Sequence, residues 1–121
     1  MRYLFLICAN EAEEAKMTPE ERGALFAAYG KFTQEVKDRG AYIGGNPLHP
    51  TTTATTVRVR EGKTIATDGP FAETKEQMGG YYLLNCANLD EAIELGARIP
   101  SARHGSIEIR PILETGTSTS A

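Results

Sequence analysis

Two stretches of this chain are apolar at both alternating sets of positions, and they constrain the fold more than any other feature. Residues 3–9 and 81–87 place apolar side chains on both faces of an extended strand, apart from Asn85. A strand with this pattern is buried on both faces, whereas a half-exposed strand alternates between apolar and polar residues. The sheet that holds these two strands therefore needs a cover on each side.

A long helix is predicted after the first of these strands, because both of its ends carry clear signals. Thr18 is a typical N-cap, Pro19 suits the first helical position, and Glu21 completes a capping box. Gly40 follows the predicted C-terminus, where glycine commonly ends a helix. One apolar stripe runs along this helix at positions Leu25, Tyr29, Phe32 and Val36.

The remaining elements complete an α+β order. A second helix is predicted over residues 89–99, with Leu89, Ile93 and Ala97 on its inner face. Shorter strands are predicted at residues 41–45, 54–60, 63–67 and 107–112, and the middle two form a hairpin around Glu61 and Gly62. The order is β-α-β, a β-hairpin, then β-α-β, which is the ferredoxin-like fold with an antiparallel sheet and an inserted hairpin.

This order leaves one face of the sheet uncovered. Two helices cover a single face, so the other sides of residues 3–9 and 81–87 would form a larger apolar patch than monomers tolerate. A face-to-face homodimer solves this, because twofold pairing is the commonest assembly. The sequence therefore predicts a single domain over residues 1–113 that pairs with itself through its sheet, followed by a disordered tail at residues 114–121.

Composition excludes several functional classes. A net charge of −3 over 121 residues argues against nucleic-acid binding, which needs clustered excess Lys and Arg. No apolar run approaches the length that crosses a membrane, and residues 1–9 fit a buried strand better than a signal peptide. Cys8 and Cys86 are interpreted as free core thiols of a cytoplasmic protein. No spacing of His, Cys or acidic residues predicts a metal or cofactor site.

The segment of residues 67–82 is interpreted as a candidate functional segment, whereas most of the chain is interpreted as scaffold. Asp68, Gly69 and Pro70 form a turn, because Asp bonds its own backbone, Gly accepts positive φ and Pro fixes φ. Phe71 is predicted to pack as an apolar anchor. The glycine pair before Tyr81, Gly79 and Gly80, is predicted to allow a close approach or a bulge. A docked structural loop and a ligand or catalytic loop both remain open.

This segment also resembles a known family. Residues 68–77, followed by Gly79, Gly80, Tyr81 and Tyr82, are similar to the hallmark of DGPF-domain proteins, a branch of the YCII-related family of small bacterial proteins. Residues 54–58 and 108–112 support the resemblance, which covers residues 1–113.

The resemblance implies a ferredoxin-like α+β barrel that dimerises through its sheet. It also implies an uncharacterised biochemical role, often with genes beside those of extracytoplasmic-function sigma factors. Founding members are thought to use a His/Asp pair, with the His on the first helix. The first long helix predicted here, from Thr18 to Gly40, contains no His, so that pair is not carried over.

Several polar residues are candidates for chemistry. Asp68 suits either a general base or the cap of its own turn, and His49 is a weaker candidate that would pair with it. Arg110 is expected to pair with Glu73 or Asp68, or to clamp an anionic ligand. The predicted ligand-binding residues are Arg58, Glu73, Lys75, Tyr81 and Arg110.

The leading hypothesis is a cytoplasmic homodimer with a cleft between sheet and helices, rimmed by residues 68–71. This cleft is expected to bind a small polar or anionic molecule, and acid–base catalysis by Asp68 stays open. The alternative is a non-catalytic regulatory or interaction partner linked to an extracytoplasmic-function sigma factor system. An exposed apolar patch away from the dimer face would favour that alternative.

Overall fold

The computed structural model describes residues 1–116, which contain six β-strands and three α-helices. The strands are β1 (Arg2–Ala9), β2 (Tyr42–Pro47), β3 (Thr55–Arg60), β4 (Lys63–Asp68), β5 (Gln77–Asn85) and β6 (Ser106–Pro111). The helices are α1 (Glu11–Glu14), α2 (Pro19–Asp38) and α3 (Leu89–Arg98). Two short 3-10 turns lie at Thr51–Thr53 and Pro100–Arg103.

Four strands form the main sheet, and the remaining two form a separate hairpin. The main sheet has the order β2-β5-β1-β6, and each neighbouring pair is antiparallel. With the hairpin set aside, this is the ferredoxin-like arrangement, so the predicted α+β fold is confirmed. The hairpin of β3 and β4 is inserted between β2 and β5 along the chain.

The start of α2 follows its sequence signals closely. The Thr18 hydroxyl accepts a hydrogen bond from the Glu21 amide at 3.1 Å, and the Glu21 carboxylate accepts one from the Thr18 amide at 2.8 Å. These reciprocal bonds satisfy two amide groups that a helix start otherwise leaves unpaired. Gly40 lies just beyond the helix with φ +74°, a conformation that glycine adopts without strain.

Helices α2 and α3 pack side by side on one face of the sheet. Arg39, which caps the C-terminus of α2, forms ion pairs with Glu91 and Glu94 of α3 at 3.1 and 3.3 Å, and Arg98 of α3 pairs with Glu35 of α2. Their apolar faces meet the inward side chains of the central strands. The core consists of Tyr3, Phe5, Ile7, Phe32, Val36, Ala41, Tyr82, Leu84, Cys86, Ala92, Leu95 and Ile99.

The predicted inner face of α3 is wrong. Leu89 and Ile93 are 51% and 52% exposed, whereas Ala92, Leu95 and Gly96 are buried. The cause is close packing, because a Cβ at position 96 would lie only 3.0 Å from Ile109. The helix turns its small residues toward the sheet, and the two larger apolar side chains face away.

The short helix α1 lies between β1 and α2. The Asn10 side chain caps this helix by accepting a hydrogen bond from the Glu13 amide at 2.9 Å. Strand β5 begins at Gln77, four residues before its predicted start at Tyr81, and the remaining boundaries agree with the predicted elements to within two residues, the usual uncertainty of element ends.

Hairpin β3–β4, which we call the arm (residues 55–68), stands away from the main sheet. Its two-residue turn has positive φ at Glu61 and Gly62, 52° and 74°, as the predicted tight hairpin requires. Val57 and Val59 project from one face of the arm and are exposed. An isolated two-stranded hairpin is only marginally stable in water.

The outer face of the main sheet carries partly exposed apolar residues, among them Leu4, Leu6 and Leu83. Beyond β6, Glu114 forms an ion pair with Arg2 at 2.8 Å, so the start of the predicted disordered tail is ordered against β1. The rest of that tail, residues 117–121, lies outside the described residues. Within the described part of the chain, no helix is long and apolar enough to cross a membrane.

Candidate functional site

A cleft of about 550 Å³ lies between α2 and the sheet. It opens because the N-terminal half of α2 is not seated on the sheet: Phe26 is 81% exposed, while Phe32 and Val36 further along are buried. The cleft lies over the edge of the sheet where β2 meets β5. We call it the α2 cleft.

Missing side chains help to create the space in the α2 cleft. Gly30 of α2 and Gly79 of β5 both line it, and a Cβ at either position would meet no atom within 4 Å. Gly45 and Gly80 also line it, but their backbone lies against neighbouring atoms, and a Cβ at Gly45 would be 2.8 Å from the Tyr82 ring. Glycine is therefore required by packing at position 45 and leaves open volume at positions 30 and 79.

Gly79 is also the extra residue of a β-bulge. In the pairing of β1 with β5, Ile7 lies opposite Gly80 and Cys8 lies opposite Met78, so Gly79 has no partner on β1. The bulge is one of the two outcomes predicted for the glycine pair, and bulges commonly redirect a strand beside a functional site.

Two hydroxyl couples line the cleft between helix and sheet. The Tyr29 hydroxyl lies 2.5 Å from the Ser101 hydroxyl, and the Thr33 hydroxyl lies 2.6 Å from the Tyr82 hydroxyl. Burial raises the pKa of both tyrosines. These hydrogen bonds lower the pKa, but their effect is smaller than that of burial. Each couple uses one of its two hydroxyl protons internally, so one donor and several lone pairs remain for a ligand.

Two charged side chains border the cleft at different places. Glu14 of α1 has its Oε2 3.1 Å from Nε2 of His104, and the His104 amide donates to the carbonyl of Ser101, the partner of Tyr29, at 3.3 Å. Lys37 lies further along α2, with its ammonium 5.0 Å from the centre of the Tyr42 ring, in cation–π geometry. The rest of the lining is mainly apolar.

The segment after the arm lies elsewhere. Pro70, Phe71 and Glu73 line a second, more open concavity of about 620 Å³, together with Leu6 and Cys8 of the outer sheet face. The predicted rim therefore belongs to a different surface, and only the end of the 67–82 segment, from Gly79 to Tyr82, reaches the α2 cleft.

Short polar contacts hold this segment beside the end of β1. The Asn10 side chain donates to the Lys75 carbonyl at 3.1 Å, and the Glu11 amide donates to the Gln77 side chain at 2.9 Å. The Glu11 carboxylate accepts bonds from the amide and hydroxyl of Thr51, at 2.9 and 2.6 Å. Helix α1 thus anchors both the 3-10 turn and the segment leading into β5.

The Asp68 turn is held by its neighbours. The Gly69 amide donates to the Ala54 carbonyl at 2.7 Å, the Thr56 hydroxyl donates to the Gly69 carbonyl at 2.7 Å, and Gly69 has φ +102°. Among residues 1–116, the exposed Asp68 side chain accepts no hydrogen bond, so it does not cap the turn as predicted. Phe71 is 80% exposed, so the expected packing of its ring within the chain is not found.

The other predicted site residues are dispersed. His49 is exposed and forms no pair with Asp68 within the described residues. Arg110 lies 3.8 Å from Glu108, its neighbour on the same strand face, instead of Glu73 or Asp68. The Tyr81 hydroxyl accepts a bond from Asn46 at 3.0 Å. Of the five predicted ligand-binding residues Arg58, Glu73, Lys75, Tyr81 and Arg110, Tyr81 alone borders the α2 cleft.

Sequence reasoning missed Glu14, Ser101 and His104, and it treated Tyr29 only as part of an apolar stripe. A hydroxyl on that stripe is the one signal that the sequence offers, because a buried Tyr usually finds a hydrogen-bond partner. Over residues 1–116, no group of three or more His, Cys, Asp or Glu side chains is placed to hold a metal ion. Cys8 and Cys86 are free thiols whose pKa values are raised by burial.

Comparison with known proteins gives a family and no activity. The YCII-related domain matches residues 1–115. An uncharacterized protein of Rhizobium meliloti (strain 1021) is 52% identical over 114 residues, which cover 93% of this chain and 92% of that protein. The chain therefore belongs to the YCII-related family.

Proposed function

We propose that this protein binds a small molecule in the α2 cleft. The observation that carries the proposal is the combination of a cleft of about 550 Å³, a mainly apolar lining, and two hydroxyl couples that converge on it. Ligand sites in proteins are typically about 300–1,000 Å³, apolar, and equipped with a few placed polar groups. The ligand expected here has an apolar body and at least one hydrogen-bonding group.

This proposal differs from the sequence hypothesis in where the ligand binds. The cations that would clamp an anion, Arg58, Lys75 and Arg110, do not border the α2 cleft. Lys37 is the cation among the lining residues, and it already lies over an aromatic ring. A polar ligand is therefore favoured over an anionic one, and binding at this site does not involve Asp68.

A ligand-shift thermal melt tests the proposal. Wild type and Gly30→Leu are screened against a library of small amines, acids, alcohols and aromatic metabolites. Binding to the native state raises the melting temperature. Leu at position 30 fills the cleft, so hits that stabilise wild type are expected to lose their shift in this variant.

Gly23→Leu is the matched control. Gly23 lies on the same helix, is exposed, and a Cβ there also meets nothing within 4 Å, but it does not line the cleft. This variant is expected to keep every ligand shift. Asp68→Asn is expected to keep them too. Hits that survive in Gly30→Leu, or that vanish in Asp68→Asn alone, would contradict the proposal.

We also propose that the protein is a homodimer in which a second copy covers the outer sheet face. Leu4, Leu6 and Leu83 on that face are only partly buried within one chain. The apolar side of the arm, with Val57 and Val59, is exposed as well. One isologous interface would bury the outer faces of two sheets together, as twofold symmetry requires of a shared patch.

A regulatory or interaction role linked to an extracytoplasmic-function sigma factor system is the second candidate. The observation that favours it is the exposed pair Leu89 and Ile93, one turn apart on α3 and on the helix side of the molecule, away from the outer sheet face. A library screen with no hits, combined with saturable binding of a sigma factor that Ile93→Asp abolishes, would support this role. A wild-type hit that Gly30→Leu removes would favour the binding protein instead.

A further inference from the structure

Glu14 is the carboxylate that borders the α2 cleft, and it is held in place by a histidine from a distant part of the chain. We infer that the Glu14–His104 pair is the charge-recognition group of this cleft, and that its ligand is a primary or secondary amine with an apolar body. This inference rests on the proposed function, because it names the ligand class of the same site.

Glu14 has one oxygen engaged and one available. Its Oε2 lies 3.1 Å from His104 Nε2, and Oε1 makes no hydrogen bond among residues 1–116. The carboxylate is about a third exposed and borders the cleft. A carboxylate that is oriented through one oxygen presents the other to a donor, and a charged donor gives a bond roughly twice as strong as a neutral one.

The surroundings of Glu14 favour a cation over an anion. The Arg22 guanidinium donates a hydrogen bond to the backbone carbonyl of Glu14 at 3.4 Å. This bond does not involve the Glu14 carboxylate. Lys37 follows Tyr29 by eight positions along α2, which is about 12 Å at the rise of an α-helix. No Lys or Arg among the lining residues pairs with the Glu14 carboxylate, so this end of the cleft favours a cationic ligand over an anionic one.

Tyr29 and Ser101 place hydroxyl groups at the same end of the cleft. The 3-10 turn links them to Glu14, because His104, the partner of the Glu14 carboxylate, donates its amide to the Ser101 carbonyl at 3.3 Å. The lone pairs of a hydroxyl oxygen, like those of a carboxylate, can accept hydrogen bonds from an ammonium group. An ammonium group has three donors, and the Glu14 carboxylate and the Tyr29 hydroxyl offer acceptors for two of them.

A matched series of probes tests the ligand class. 2-Phenylethylamine, 2-phenylethanol and 3-phenylpropanoate share an apolar ring and differ in the charge at the other end. Isothermal titration and thermal melts of the full chain are expected to show tightest binding of the amine. We expect the acid to bind at least about tenfold more weakly, which corresponds to roughly 1.4 kcal/mol.

Glu14→Gln keeps the shape of the side chain and removes its charge. In this variant the amine is expected to lose about tenfold or more in affinity and to bind no better than the alcohol. Glu13→Gln is the control, because Glu13 is adjacent and exposed, pairs with Lys16, and does not border the cleft. Glu14→Asp keeps the charge and is expected to keep the preference for the amine over the acid, which guards against loss of folding in Glu14→Gln.

His104→Ala separates orientation from charge. Without the imidazole, the Glu14 carboxylate keeps its charge and loses its fixed position, so the amine is expected to bind severalfold more weakly while still being preferred over the acid. An unchanged amine affinity in this variant would show that His104 does not orient Glu14.

The failures of the two proposals are distinguishable. If the alcohol or acid binds as tightly as the amine, or if Glu14→Gln leaves amine binding unchanged, the inference is overturned while binding in the cleft stands. If none of the three probes binds wild type, the inference is also overturned. If the amine binds and Gly30→Leu does not weaken it, the cleft is not the site and both proposals fail.

Discussion

Within residues 1–116, the Ser101 hydroxyl has one side-chain hydrogen-bond partner, the Tyr29 hydroxyl. The residue is only 3% exposed, and its Oγ lies 2.5 Å from the Tyr29 hydroxyl. Tyr29→Phe removes that partner and leaves a buried polar group unpaired, which typically costs about 1–3 kcal/mol. We expect Tyr29→Phe to lower the free energy of unfolding in urea by this amount.

The reverse substitution, Ser101→Ala, is expected to cost less. The Tyr29 hydroxyl lines the cleft, where water can replace the lost partner. In a double-mutant cycle, Tyr29→Phe combined with Ser101→Ala should therefore be more stable than the sum of the single effects predicts. Strictly additive effects would mean that the two hydroxyls do not depend on each other.

The two cleft tyrosines also predict how stability changes at high pH. Burial raises the pKa of Tyr29 and Tyr82 in the folded state above the ordinary value of about 10. An unfolded chain then loses these protons first, so their stabilisation is complete below about pH 10 and is lost as pH rises through the folded pKa values. Urea unfolding at pH 8 and at pH 11 measures the fall.

Substitution of both tyrosines by Phe isolates their share of this pH dependence. Tyr29→Phe/Tyr82→Phe is expected to show a smaller loss of stability between pH 8 and pH 11 than wild type. The thiols of Cys8 and Cys86 have raised pKa values as well and remain in both proteins, so they cancel in the comparison. An identical loss in the two proteins would contradict the assignment to the tyrosines.

At the residue scale, local signals were predictable and distant pairings were not. The Thr18–Glu21 capping box and the bulge at Gly79 follow from neighbouring residues, because the groups that interact are close in sequence. Glu14 and His104 are 90 residues apart, and only the fold brings them together. For Asp68 a local signal was misleading. The turn sequence predicted a bond from its side chain to the nearby backbone, but the Asp68 side chain makes no hydrogen bond within residues 1–116.

At the scale of elements, α2 carries two glycines where most residues would give a more stable helix. A Cβ at Gly23 or Gly30 meets no atom within 4 Å, so neither glycine is required by contacts within the chain. Glycine in a helix interior costs about 0.5–1 kcal/mol relative to Ala. We expect Gly23→Ala and Gly30→Ala each to raise the free energy of unfolding by about this amount.

The two substitutions are expected to differ in ligand binding. Gly30→Ala adds a methyl group to the wall of the α2 cleft, whereas Gly23→Ala lies outside it. A ligand found in the thermal screen should therefore bind more weakly to Gly30→Ala and unchanged to Gly23→Ala. Equal affinity for both variants would show that position 30 is not part of the occupied space, despite its place in the lining.

The same scale shows why the face of α3 was mispredicted. The interpretation followed the largest apolar residues, Leu89 and Ile93, whereas the helix approaches the sheet through Ala92 and Gly96. Close approach of a helix to a sheet requires small residues, and the space available to them depends on neighbours such as Ile109. Hydrophobic size alone does not contain that information.

At the scale of the whole molecule, the order of elements predicted the fold because few arrangements satisfy it. Strands that are apolar on both faces must lie in the centre of a sheet, and β1 and β5 do. The position of the 67–82 segment was not predictable in this way. Its location depends on where the arm leaves the sheet and on the contacts of Asn10 and Glu11 with Lys75 and Gln77, which no pattern in the sequence indicates.

The proposed homodimer predicts that a charge placed on the outer sheet face separates the two copies. If a second copy covers the outer sheet face, Leu83→Glu places a charge in the interface, where an unpaired charge is strongly disfavoured. In a single chain, position 83 is partly exposed, so the variant should still fold as judged by its circular dichroism. Sedimentation velocity is expected to give twice 13.1 kDa for wild type and 13.1 kDa for the variant.

Ile93→Glu is the control for this prediction, because it changes the same kind of residue on the helix side of the molecule. Ile93 is 52% exposed within one chain and lies away from the outer sheet face, so its substitution should leave the dimer intact. A monomeric wild type would leave Leu4, Leu6 and Leu83 exposed to water and would refute the dimer outright. A dimer that Ile93→Glu disrupts and Leu83→Glu does not would place the interface on α3, and the outer sheet face would then need a different partner.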